Sequence, residues 1–169
     1  MDTILISILS GSLTAALVSG IFSIYAQKNN YKNDYYKYVI KKRIEAYEYI
    51  ENFIVTIKGA AYDDTDNKSY HMIFTQDYDW FVERQSKLWL AITFGTWIEN
   101  DTLSALTELT RMFVGIKPTD NLVDFGKVKY KEIAILRDKI ENLSKRDILS
   151  LYDIKAFRKK KSETIFVNI

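Results

Sequence analysis

The chain of 169 residues has no cysteine, one proline, six glycines and one histidine. Without cysteine there is no disulfide framework, no thiolate nucleophile and no cysteine-ligated zinc or iron–sulfur centre. So few prolines and glycines leave few turns for a sandwich or barrel, which favours helices. Proton-transfer and nucleophilic catalysis most often need a histidine or cysteine with an orienting partner, and His71 stands alone after Tyr70 at the exit of a polar stretch, where a surface or loop role is expected. No glycine-rich phosphate loop, HExxH, GxSxG or dinucleotide fingerprint occurs. The chain is therefore expected not to be an enzyme and to need no cofactor.

A further absence is positional. Residues 3–27 carry no Asp, Glu, Lys or Arg, whereas Lys28, Lys32, Lys37, Lys41, Lys42 and Arg43 follow against the single acid Asp34. Wound as a helix, the uncharged run reaches roughly 35 Å, enough for the ~30 Å hydrocarbon core of a bilayer. A cleaved signal peptide is the alternative, but it needs a basic start and a shorter apolar centre, and only Asp2 precedes this run. The positive-inside rule then places the protein in a bacterial inner membrane, with the N-terminus outside and the C-terminal part cytoplasmic. Within the run Ser12, Ala16, Ser19 and Ser23 share an arc of roughly 60° at 100° per residue, and Ser12, Ala16 and Gly20 form a small-xxx-small series. These five positions are the candidate pore or helix-packing residues.

Hydrophobic residues make up 47% of the chain and aromatics 14%, too rich for disorder. The expected fold is all-α: a transmembrane helix over 3–27, a membrane-proximal long helix over 28–58, and a compact cytosolic helical domain over 59–169 on which the long helix packs. Tyr36, Val39, Ile40, Tyr47, Ile50, Ile54 and Ile57 form one apolar stripe, and Tyr31, Tyr35, Tyr38, Lys42 and Tyr49 form a second on another face. Gly59 and the polar cluster Asp63 to Asn67 end that helix. The cluster lacks the central glycine and terminal glutamate of an EF-hand, so it reads as a solvated loop. Asp77 or Asp79 is expected to open a helix that turns apolar at Leu88 to Ile98. Asn100 or Asp101 should cap one carrying Leu103, Leu106, Leu109 and Phe113, closed by Gly115 and Pro118. A further helix from Asp120 to Lys145 carries Ile133, Leu136, Ile140 and Leu143. Ser144 with Asp147 resembles a capping box leading into Ile148, Leu151 and Ile154.

The basic residues supply the ligand-binding candidates Lys41, Lys42, Arg43, Lys127, Lys131 and Arg158. Ammonium groups neutralise phosphates while interleaved phenol rings stack on bases, as binding of single-stranded nucleic acid requires. Lys28 and Tyr31 equally suit an ordinary membrane boundary. Arg43 lies within the apolar stripe and needs a carboxylate or phosphate partner, because a charge buried alone is costly.

The N-terminal span followed by Tyr35-Tyr36-Lys37 and by Ile40-Lys41-Lys42-Arg43-Ile44-Glu45-Ala46-Tyr47-Glu48 resembles the small single-span membrane effectors of bacterial anti-phage defence, most of all the Hailong-type channel effectors. That resemblance implies a homo-oligomeric channel in the lipid bilayer, held shut by single-stranded DNA or nucleotide from an operon-encoded nucleotidyltransferase, that depolarises the cell. It assigns no individual residue a role. A tethered adaptor or scaffold binding a cytosolic partner is the alternative expectation.

Overall fold

The computed structural model describes the backbone of residues 2–167 and the side chains of residues 19–162. It is mainly helical. In chain order come α1 (Asp2–Lys58), the strands β1 (Ala60–Asp63) and β2 (Lys68–His71), then α2 (Tyr78–Thr93), α3 (Asn100–Phe113), α4 (Leu122–Leu149) and α5 (Ile154–Val167). The chain divides into two compact units, Met1–Val39 and Ile40–Ile169.

In the first unit the helix exposes every described side chain from Ser19 to Asp34, with Tyr35 and Tyr36 partly covered and Val39 buried. Among the described residues no helix is long and apolar enough to cross a membrane. This corrects the expected inner-membrane placement with its outside N-terminus. Lack of charge is a weaker property than apolarity: over residues 19–27, Ser19, Gly20, Ser23 and Gln27 alternate with Ile21, Phe22, Ile24 and Tyr25, and uncharged polar groups do not favour hydrocarbon. Ser19, Gly20 and Ser23 are exposed. Ser12 and Ala16, also expected to pack or line a pore, have side chains outside the described residues, as does the C-terminal tail from Ile165.

The second unit is built around the stripe of α1 that the periodicity marks out, of which Tyr47, Ile50, Ile54 and Ile57 are buried and Ile40 partly so; Ala46 and Phe53, outside that stripe, are buried with them. Leu106, Leu109 and Phe113 of α3 and Ile133, Leu136 and Ile140 of α4 complete the core, each buried side chain contributing about 1.5–3 kcal/mol. Phe74, in a short 3-10 turn after β2, stacks on Phe81 at 5.7 Å and meets Phe125 edge-on at 5.5 Å and Phe113 edge-on at 5.9 Å between ring centres. Gly126 makes this possible, since a Cβ there would lie 2.7 Å from the Phe74 ring.

Three local expectations are corrected. The polar loop after Gly59 is the tip of an antiparallel hairpin pairing Ala60 with His71 and Asp63 with Lys68, and Asn67 closes it at φ 57°, a left-handed conformation that asparagine tolerates. His71 is fully buried rather than at the surface. Ser144 and Asp147 form no capping box: α4 runs through them to Leu149, and Asp153 instead accepts from the Ala156 amide at 3.1 Å at the start of α5.

A buried polar network and an exposed aromatic seam

The second unit holds a buried polar network where α1, α3, α4 and α5 meet. Arg43 projects from α1 because it falls on the buried stripe, and its side chain is 0% exposed. Its Nη2 donates to Glu99 Oε1 at 3.1 Å and its Nη1 to the Leu151 carbonyl at 3.4 Å. The guanidinium lies 4.0 Å from the centre of the Phe157 ring, a cation–π contact that is strongest when desolvated. Glu99 occupies the N-cap position of α3 without capping it, because its carboxylate is directed to Arg43 and, through Oε2, to Lys160 Nζ at 3.8 Å.

One turn along α1, the Tyr47 hydroxyl donates to Asp147 Oδ2 at 3.0 Å and accepts from the Glu99 amide at 3.2 Å. Asp147 also accepts from Thr102 Oγ1 at 2.5 Å and from Arg146 Nε at 3.1 Å. Burial, reinforced by the negative charge of Asp147, pushes the Tyr47 phenol well above its ordinary pKa. The bond to Asp147 raises Arg146 further. Lys161, with its ammonium on the Gly95 carbonyl and Asn100 Oδ1 at 2.8 Å each, is pulled down by burial. Every carboxylate of this network is held by cations or hydroxyls, an arrangement suited to joining four helices.

Two of the six basic candidates serve inside the protein. Arg43 is one. Lys127 is the other: its side chain is 9% exposed and its Nζ lies 2.6 Å from Asp63 Oδ2 and 3.1 Å from Asp66 Oδ2, so one ammonium is shared by two carboxylates of the acidic hairpin tip. That bond holds the Asp63 carboxyl well below its usual range. Lys42 pairs with Glu45 at 2.8 Å and faces the Phe94 ring. Lys41, Lys131 and Arg158 are at the surface. Nothing local marks Asp147 as the acceptor of the network, because its partners Tyr47 and Thr102 stand 100 and 45 residues away.

Alongside Tyr47 a cavity of about 210 Å³ opens between α1 and α4. Tyr47, Ile50 and Ile54 form its apolar floor, Glu141 and Ser144 stand one turn apart on α4, and Glu51, Lys58 and Lys145 carry the charges around it.

The first unit offers a different surface. Along α1, Ile21, Ile24, Lys28, Tyr31, Tyr35 and Tyr38 recur with alternating spacings of three and four, the a and d positions of a heptad repeat. Ile21, Ile24 and Tyr31 are 68%, 69% and 77% exposed, and Tyr38 is 52% exposed. The opposite face carries Ser23, Asn29, Asn30 and Asn33 with one large apolar side chain, Phe22, which is 69% exposed. Ser19, Gly20 and Ser23, singled out by their size, fall beside or behind this seam rather than on it. Comparison with family models, with curated proteins and with solved structures finds no match.

Proposed function

We propose that the protein is a non-catalytic assembly module in which copies associate through the first unit of α1, and the helical second unit serves as an adaptor. The observation that carries this reading is the seam of Ile21, Ile24, Lys28, Tyr31, Tyr35 and Tyr38, exposed apart from the partly covered Tyr35, with a more polar face behind it. An uncovered apolar stripe with a heptad spacing fits a second helix with the same spacing, and a bare helix derives little stability from propensity alone. Burying about half of the surface that these three tyrosines and two isoleucines still expose removes roughly 600 Å² from water in a pair, the scale of a weak, concentration-dependent association. Lys28 at an a position costs stability and limits register and subunit number. The proposal retains the self-association of the expected channel and leaves the pore aside, because the pore required a membrane-crossing helix.

The test is site-specific cross-linking. A photoreactive side chain at Tyr31 is expected to give one discrete adduct of twice the chain mass, and the same group at Asn33 none. The absence of cysteine gives a clean disulfide background as well: Tyr31→Cys should oxidise to a dimer and Asn33→Cys should not. Equal linkage at both positions, or sedimentation as a monomer at every concentration, removes the proposal.

A second reading is favoured by the same face. Lys28 and Lys32 alternate with Tyr31, Tyr35 and Tyr36, and Lys32 Nζ lies 5.6 Å from the centre of the Tyr36 ring. Ammonium and phenol groups in alternation suit single-stranded nucleic acid. Binding of short oligonucleotides that weakens steeply with salt and competes with the Tyr31 cross-link would establish this reading in place of self-association.

A further inference from the structure

From the cavity between α1 and α4 we infer a binding site for a small neutral molecule that combines one aromatic ring or branched aliphatic group with a hydrogen-bond donor, a phenol or primary amide. The site is independent of the seam. Three features define the ligand.

Size is the first. A volume of about 210 Å³ exceeds the ~150 Å³ apolar cavity known to admit benzene, so it takes one ring with a substituent and little more. The floor is the second. Val55 and Ile148, 64% and 44% exposed, supply the apolar surface that a ligand meets, over a base of Tyr47, Ile50 and Ile54 that is itself almost wholly covered. An apolar floor of this kind rewards a hydrocarbon body.

The third feature selects the polar group. Ser144 Oγ and Glu141 Oε1 are both buried, and neither has a hydrogen-bond partner. Glu141 Oε1 is ion-paired at longer range, 3.4 Å from Lys58 Nζ and 3.9 Å from Arg137 Nε, so its charge is balanced while its lone pair remains unfilled. Buried polar atoms are ordinarily satisfied, and a carboxylate oxygen that accepts beside a hydroxyl that both donates and accepts is the complement of a ligand group that does both, as a phenol or primary amide does. The lining charges are Glu51 and Glu141 against Lys58 and Lys145. They cancel in number, which favours a neutral ligand over an amine or a carboxylate.

The experiment uses the full chain and four probes: p-cresol, benzamide, toluene and benzoate. Backbone amide shifts of residues 47–58 and 141–148 are followed during titration. The cresol and the amide are expected to bind saturably, on the order of millimolar for ligands of this size. Toluene and benzoate should bind at least severalfold more weakly. Ser144→Ala, which removes only the hydroxyl, should weaken cresol binding roughly threefold to tenfold and leave toluene unchanged. Ser144→Leu should fill the space and abolish binding; an unchanged far-ultraviolet spectrum and melting curve establish that it folds. Equal affinity for toluene and cresol, stronger binding of benzoate, or no saturable shift overturns the inference. None of these results bears on the Tyr31 cross-link, so the two proposals fail separately.

Discussion

Breaking the Arg43–Glu99 pair should cost more than any surface ion pair in the molecule. The two side chains are 0% and 8% exposed, so removing one partner leaves the other charged and largely dehydrated, a loss of about 3–5 kcal/mol. The two single changes are not equivalent. After Arg43→Met the carboxylate of Glu99 retains Lys160 at 3.8 Å, and the methionine keeps much of the buried stem, which places this variant at the lower end, about 3 kcal/mol. After Glu99→Leu the guanidinium retains the Leu151 carbonyl at 3.4 Å and the Phe157 face at 4.0 Å, both neutral, which places it nearer 5 kcal/mol. The double variant removes both charges together and should cost clearly less than the sum, with a coupling of about 2 kcal/mol. Urea unfolding followed by circular dichroism measures all four corners. In thermal melts the single variants should fall by roughly 6–20 °C for a chain of this size. Either single change costing under about 1 kcal/mol, or additivity within about 0.5 kcal/mol, would refute the reasoning.

Four further variants have outcomes fixed by the geometry. Gly126→Ala should destabilise by about 1–3 kcal/mol because the new methyl meets the Phe74 ring. Gly115→Ala, where nothing lies within 4 Å and φ is not positive, should be neutral or gain up to about 1 kcal/mol; denaturation curves of the two variants separate the cases. Tyr47→Phe should cost about 1–3 kcal/mol by leaving Asp147 and the Glu99 amide each short of a partner, again read in urea. His71 is pushed below its ordinary pKa by burial, against the opposing bond to the Tyr130 carbonyl. The unfolded chain therefore takes up a proton below about pH 6.5 that the folded chain refuses, and stability falls as pH drops towards the lower folded value, by at most about 1.4 kcal/mol per pH unit. Stability of His71→Gln measured beside the parent from pH 8 to 5 should lack that slope, and parallel curves would show that His71 does not titrate on unfolding.

The helices were legible wherever an apolar stripe repeated at helical spacing. Ile50, Ile54 and Ile57 read correctly as core, as did Leu106 and Leu109 on α3 and Ile133, Leu136 and Ile140 on α4, because burial of one helical face leaves a periodic trace. Lys58 before Gly59 marked the end of α1, and Asp77 marked the start of α2, where it accepts from the Trp80 amide at 2.9 Å. The hairpin was not legible: Ala60–Asp63 and Lys68–His71 are four residues each, too short to display alternation, and their acidic tip reads as loop until Lys127 is brought to it from 64 residues away. Ser144 and Asp147 misled for the opposite reason. A residue pair that can cap a new helix is also compatible with the middle of an old one, and the bonds that decide the matter, to Tyr47 and Thr102, are non-local. Arg43 was the instructive intermediate, since its place on an apolar stripe demanded a partner without identifying Glu99.

The hold of Lys127 on Asp63 and Asp66 has a consequence for local opening. The ammonium belongs to the second turn of α4 and the carboxylates to the hairpin tip, so neither segment can separate from the other without baring unlike charges that are now in contact. Fraying at residues 63–68 and at 124–127 should thus be one event, with a common opening free energy in amide exchange, and the most acidic stretch of the chain moves only when the beginning of its longest fully internal helix moves with it.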